Sequence, residues 1–251
     1  PFEPFQKGAE DPRYRAMKDW QDEQASKNPD FSKIHHTSAD TPEECIHLLN
    51  HTFCDVQFGI ETMMEPYGSW FREQDLSKSY HYYARLLRML QWQRPGERWL
   101  LKSPAHLWAL DCIDKEFPDA CIIITHRNPL EAVTSYASMM AAMMIEREYD
   151  KKTLGPVVME YLAQKVERSL RLRENIAKER ILDLQFNDFV ADSVGFVHGI
   201  YDYFNLPMTN NTKARIEQYA NTHPMNTHGK HQYDLEQFGL SEAQVLKRFA
   251  F

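Results

Sequence analysis

The chain has 251 residues, 43% of them apolar, enough for one large core with a helical annex. Its 29 Lys and Arg stand against 36 Asp and Glu, a formal charge of −7 that excludes a bulk electrostatic grip on nucleic acid or an anionic membrane. A small anionic ligand stays possible, because a site needs only a few local cations. No apolar run approaches the length of a membrane span. The four cysteines, Cys45, Cys54, Cys112 and Cys121, show no C-x-x-C spacing. They read as buried free thiols in a reducing compartment, hence a cytoplasmic chain. The sequence starts at Pro1, with no Met and no basic-then-apolar leader. It reads as the interior of a longer protein, with any N-terminal signal outside it.

Residues 1–40 are polar and broken by proline, with a helix expected around Pro12–Ala25. Thr41-Pro42-Glu43-Glu44 has the form of a capped helix start. Ile46, Leu49, Phe53 and Val56 would then share one buried face. Residues 59–76 mix aromatic and polar groups without a clear period. Ser77 is expected to cap a helix striped with Tyr80, Tyr83, Leu87 and Leu90, which Arg94-Pro95-Gly96 stops. A strand over 98–102 and a helix over 104–117 follow, then a strand over 120–126 and a helix over 129–147. The run Cys121–Ile124 is continuously apolar, the pattern of a parallel strand covered on both faces. A long helix over 154–177, a strand over 180–186 and helices near 190–204 and 210–221 complete the core. A polar loop over 222–234 carries His228-Gly229-Lys230-His231, and Ser241-Glu-Ala-Gln244 opens a last helix as a capping box. The whole reads as one α/β domain, 1–251, mostly helical over 1–95 and α/β over 96–251.

Two stretches stand out. Trp99-Leu-Leu-Lys-Ser-Pro-Ala-His106 and Cys121-Ile-Ile-Ile-Thr-His-Arg-Asn-Pro129 each run from an apolar segment through a cation into an N-cap followed by proline. Each puts a positive side chain beside helix N–H groups, an arrangement suited to a doubly charged anion. His106 falls on the stripe of Leu110, Ile113 and Phe117. From the pattern it is either a general base near Lys102 or a hydrogen-bonded core histidine. Arg127 suits either a phosphate or a carboxylate partner. Ser135 lies on a polar helix face with Glu131 and Ser138, where an ordinary solvated role is the simpler use. Met139, Met140, Met143 and Met144 fit core packing better than an adaptable pocket. His223, His228 and His231 lack metal-ligand spacing, and Lys230 opposes a cation, so no metal site is expected. Neither G-x-S-x-G, G-x-G-x-x-G nor G-x-x-x-x-G-K-[ST] occurs.

The block Trp99-Leu-Leu-Lys-Ser-Pro-Ala-His-Leu-Trp-Ala-Leu-Asp111, with Phe117-Pro-Asp-Ala120 and Thr125-His-Arg-Asn-Pro-Leu-Glu-Ala-Val133 and then Ser135, resembles the PAPS-dependent sulfotransferases. It is most similar to the bacterial-type branch with K-S-P-x-H-L and H-R-[DN]-P motifs. The likeness runs from about Asp11 to the C-terminus. It implies a three-layer α/β fold with a parallel sheet, related to the P-loop kinases. The implied donor is 3′-phosphoadenosine 5′-phosphosulfate (PAPS), with adenosine 3′,5′-bisphosphate as product and no metal. Arg127 and Ser135, eight residues apart as in the family, would hold the donor's 3′-phosphate, with Gly229 and Lys230 as a basic loop beside it. Lys102 would stabilise the leaving oxygen and His106 would act as base on a hydroxyl or amine acceptor. The acceptor would be a small molecule, lipid or carbohydrate, bound by the aromatic-rich helices of Thr41–Gln91.

The sequence departs from the family in three places. Lys102 and His106 are four residues apart rather than two. Phe186 stands where a tyrosine is frequent. The family's Pro-x-Ser-Gly-Thr-Thr-like phosphate loop, with the first strand of the sheet, has no counterpart here, so the chain reads as an N-terminally truncated fragment. A non-catalytic binding or scaffold protein of the same fold is the alternative. A related nucleotide kinase is disfavoured, because the phosphate loop and the lid arginines are absent.

Overall fold

The structure, a computed structural model, describes residues 10–29, 35, 37–60, 65–92, 95–144, 149–223 and 234–251. The chain divides into two compact units, residues 1–118 with 139–149, and residues 119–138 with 150–251.

In the first unit, helix α1 (Pro12–Lys27) is opened by Asp11, whose carboxylate accepts the Arg13 N–H at 2.9 Å. The helix expected from Thr41 does not start there. The Thr41 hydroxyl bonds back to Ser38, and Glu44 turns to the Lys102 ammonium instead of closing a capping box. Helix α2 (Ile46–Leu49) is one turn long and tightens into a 3-10 turn (Asn50–Thr52). Phe53 ends it in the left-handed region, φ 54°, with its ring exposed rather than on the expected buried stripe. Leu49 and Val56 from that stripe are buried. Helices α3 (Gln57–Ile60) and α4 (Glu65–Arg72) fill the segment whose sequence shows no period.

Helix α5 (Ser77–Gln91) buries Tyr80, Tyr83, Ala84 and Leu87 along one side. Ser77 is its first residue rather than its cap, and the Asp75 carboxylate accepts the Ser77 N–H at 2.9 Å. The expected strand over 98–102 is irregular chain without a ladder partner among the described residues. A strand is stabilised by its neighbour's backbone groups. Leu100 in this segment is 94% exposed. The expected helix over 104–117 is two pieces, a 3-10 turn (Pro104–Trp108) and helix α6 (Leu110–Glu116), broken at Ala109 by φ −143°. His106 therefore does not share a continuous helical stripe with Leu110. Trp108 anchors the turn, buried edge-on against Phe71 with ring centres 6.0 Å apart. Met140 and Met144 are core residues, as their spacing predicts.

In the second unit, β1 (Ile122–His126) pairs in parallel with β2 (Ile181–Gln185), Ile122 opposite Ile181 and His126 opposite Gln185. Ile122, Ile124 and Ile181 are buried, whereas Ile123 and Thr125 are exposed. Among the described residues, one face of this pair is covered, not both. Cys121, just before β1, is exposed rather than buried, and all four cysteines are free thiols. The crossover is helix α7 (Pro129–Met143) and helix α8 (Lys151–Arg173). Pro156 lies inside α8 and cannot donate to the Lys152 carbonyl. The 3-10 turn Glu236–Phe238 packs on that stretch. Gly239 has φ 72°, and a Cβ there would strike the Lys152 carbonyl, while a Cβ on Gly155 would strike the Phe238 carbonyl. Both positions need glycine for backbone to meet backbone. Helices α9 (Phe186–Ala191), α10 (Ser193–Tyr203) and α11 (Asn210–Thr222) follow β2. Helix α12 (Glu242–Arg248) begins with the expected Ser241–Gln244 capping box. Arg248 ties it to Glu160 and Glu167 of α8, each at 2.7 Å.

Candidate functional site

The first group of site residues lies where irregular chain enters the Pro104–Trp108 turn. Ser103 caps that turn, its hydroxyl accepting the Ala105 N–H at 3.2 Å, as the Ser-Pro pair predicts. The Lys102 carbonyl accepts the Cys45 N–H at 2.9 Å, which pins the segment to the start of α2. The Lys102 side chain is exposed and ion-paired with Glu44. His106 is half-buried and turned the other way, its Nδ1 2.9 Å from the Tyr80 hydroxyl. Its ring packs beside both Tyr80 and Tyr83, with ring centres 5.8 Å and 5.9 Å away. Burial lowers its pKa to about 4, so the ring is neutral near physiological pH. Burial likewise pushes the Tyr80 phenol well up, so it keeps its proton. The sequence joins Lys102 and His106 in one motif, and the structure gives the two side chains different partners.

The second group lies at the end of β1. Asn128 caps α7, its Oδ1 accepting the Leu130 N–H at 3.0 Å. Arg127 projects just before this cap. Its Nε donates to Glu131 at 2.9 Å, and its guanidinium lies over the Phe186 ring at 4.8 Å. The terminal guanidinium nitrogens bond to no described residue. Ser135 is half-buried two turns into α7. Glu131 is four residues from each, so Arg127, Glu131 and Ser135 follow one side of the helix start. His126, at the end of β1, bonds to Asp183 at 2.6 Å, and Arg173 donates to the same carboxylate at 2.9 Å. These two partners hold the Asp183 carboxyl below its usual range.

Gly229, Lys230, His228 and His231 lie outside the described residues. His223 stacks on Tyr219 with ring centres 4.0 Å apart. Among the described residues no cluster of His, Cys, Asp or Glu could hold a metal ion. No described helix is long and apolar enough to cross a membrane.

Sequence reasoning missed Tyr80, Glu44, Glu131 and Phe186 as partners of the motif residues. Only Glu131 carried a local signal, its i+4 spacing from Arg127. Tyr80 is 26 residues from His106 and reads as an ordinary core position.

A sulfotransferase family model matches residues 3–210. The chain belongs to the sulfotransferase family. Its structure is similar to that of sulfotransferase STF9 from Mycobacterium avium, with a TM-score of 0.84 and 29% identity over 96% of this chain and 63% of that one. It is also similar to sulfotransferase STF1 from Mycobacterium tuberculosis H37Rv, with a TM-score of 0.83 and 27% identity over 96% of this chain and 63% of that one. The chain thus spans less than two thirds of each of these sulfotransferases. No curated protein matches it. The likeness extends to the fold: a largely helical α/β protein with a parallel strand pair, related to the P-loop type.

Proposed function

We propose that this protein serves sulfuryl transfer from PAPS to a hydroxyl or amine. The observation that carries the reading is the match to the sulfotransferase family across residues 3–210, a span that includes Lys102, His106, Arg127 and Ser135. In the reaction the acceptor attacks sulfur, the bond from sulfur to the phosphate oxygen breaks, and adenosine 3′,5′-bisphosphate leaves. The acceptor's proton is released in the same turnover. Catalysis of this kind is mostly positioning and charge stabilisation.

Arg127 and Ser135 hold the donor's 3′-phosphate. Support comes from the chemistry of the set: two open guanidinium nitrogens and a hydroxyl on one side of a helix start. Gly229 and Lys230 belong to the same phosphate site on the strength of the family resemblance. Lys102 stabilises the leaving oxygen and exchanges Glu44 for that role. His106 acts at the transferring group. Whether it takes the acceptor's proton or donates to an oxygen depends on which ring nitrogen carries its hydrogen. The aromatic residues of α3, α4 and α5 supply the acceptor surface, for a small molecule, a lipid or a carbohydrate. No step requires a metal.

The test is a thermal melt. Adenosine 3′,5′-bisphosphate raises the melting temperature of the wild type, and Arg127→Ala removes the shift. Equal stabilisation of wild type and variant rejects the assignment of Arg127.

A further inference from the structure

The Tyr80–His106 contact constrains what His106 can do. The two side chains carry two exchangeable hydrogens, the phenol O–H and the single N–H of a neutral imidazole. Their mutual bond uses one of them. Tyr80 is 2% exposed, and its hydroxyl has no other bond to a described residue. Suppose the imidazole donates through Nδ1. The phenol hydrogen is then left in the core without an acceptor, at a cost of about 1–3 kcal/mol. Suppose instead that the phenol donates to Nδ1. Its hydrogen is satisfied, and the imidazole hydrogen moves to Nε2, which bonds to no described residue and stays available to a ligand.

We infer that Tyr80 fixes His106 in the Nε2–H tautomer, so that His106 offers a hydrogen-bond donor to an oxygen of the bound substrate rather than a lone pair for the acceptor's proton. Tyr80 is a positioning residue: it acts through His106, and its bond sets both the ring angle and the tautomer. A neutral imidazole donor suits an oxygen that gains negative charge in the transition state, because it needs no proton transfer to act. The acceptor's proton then passes to solvent after the sulfur–oxygen bond forms. This inference deepens the sulfuryl-transfer reading and rests on it for the identity of the ligand oxygen, but the tautomer itself does not depend on that reading.

The tautomer is measured on the intact, ligand-free chain by nitrogen-15 NMR of labelled histidines, with the His106 signals assigned by their loss in His106→Gln. The expected spectrum has a protonated Nε2 and an unprotonated, hydrogen-bonded Nδ1. In Tyr80→Phe the Nδ1 signal moves as its bond is lost, and the tautomers mix. A protonated Nδ1 in the wild type overturns the inference, whether or not the variant folds. The second arm is turnover with PAPS and 4-nitrophenol as acceptor, with a Pro-x-Ser-Gly-Thr-Thr-type phosphate loop and strand joined to the N-terminus of the chain and of each variant. A glutamine amide can place a donor near the Nε2 position but cannot act as a base. His106→Gln is therefore expected to stay within about tenfold of wild type, while His106→Ala falls by about a hundredfold or more. Equal losses in the two variants contradict the donor role. Failure of the wild type to bind adenosine 3′,5′-bisphosphate rejects the sulfuryl-transfer reading and leaves the NMR result to decide the tautomer.

Discussion

Arg127 is held between the Glu131 carboxylate, 2.9 Å from its Nε, and the face of Phe186, 4.8 Å from its guanidinium carbon. The two contacts have opposite consequences for an incoming phosphate. Glu131 is a like charge to the phosphate and competes for the same cation. Phe186 presents no competing charge and orients the planar group. Both Arg127 and Glu131 are substantially exposed, so each effect is modest. Glu131→Gln is expected to tighten adenosine 3′,5′-bisphosphate about threefold, and Phe186→Ala to weaken it by a similar factor. Calorimetric titration of both variants checks the opposite signs. The tyrosine frequent in the family at this place would offer a hydroxyl; here the phenylalanine offers a ring to Arg127.

Two groups in the first unit, Asp55 and His106, have shifts of opposite sign. Burial raises the Asp55 pKa from 3.8 to about 6, although the Gln57 N–H bonds to it. Its folded value lies above its unfolded one, so its contribution is greatest at low pH and is lost as pH rises through about 6. Burial lowers His106 from 6.5 to about 4, so its contribution is present above 6.5 and lost as pH falls through about 4. Over that interval the two offset one another. Relative to wild type, Asp55→Asn should lose stability as pH falls from 6.5 to about 4, and His106→Gln should gain it. Melting curves across that range give the two signs. Parallel curves for all three proteins contradict the burial of both groups.

Lys165 in α8 is 5% exposed, its ammonium over the rings of Tyr136 and Tyr161 at 5.8 Å and 5.2 Å. The rings attract the cation but do not replace its hydration, and burial brings its pKa down from 10.5 to about 8. Stability from a lowered lysine is complete above the unfolded value and is lost as pH falls through the folded one. Lys165→Met keeps the length and removes the charge. It should raise the melting temperature near neutral pH, with a gain of about 3 kcal/mol before the lost cation–π contact is subtracted. The gain should vanish near pH 10.5, where the unfolded lysine is itself half neutral.

The turn at Glu236–Phe238 sits against α8 only because Gly155 and Gly239 lack a Cβ. Gly239→Ala adds left-handed strain to a clash with the Lys152 carbonyl, and Gly155→Ala clashes with the Phe238 carbonyl. Each is expected to destabilise the second unit by about 2 kcal/mol or more, read as a lower denaturant midpoint with an unchanged slope.

The sequence carried the parallel pair because β1 and β2 are short β-branched and leucine runs joined by long helical patterns, and local period is enough to read such elements. The caps at Ser103, Asn128 and Ser241 were equally local. The errors came where a distant residue overrode a local signal. Glu44 has a capping-box position but takes the Lys102 ammonium. Residues 98–102 have strand composition but no neighbouring strand among the described residues. Ala109 breaks a helix that the hydrophobic spacing runs straight through. Motif spacing singled out Lys102, His106, Arg127 and Ser135 as candidates. It could not find Tyr80, because the bond to His106 joins segments with no sequence relation and leaves no periodic trace.

The central claim is that Arg127 reads a nucleotide 3′-phosphate, and it is tested most directly by calorimetric titration with adenosine 3′,5′-bisphosphate and with adenosine 5′-monophosphate. The wild type is expected to prefer the bisphosphate by about tenfold or more, and Arg127→Ala to bind the two alike. Equal affinity for the two nucleotides in the wild type, or an undiminished preference in Arg127→Ala, contradicts the account.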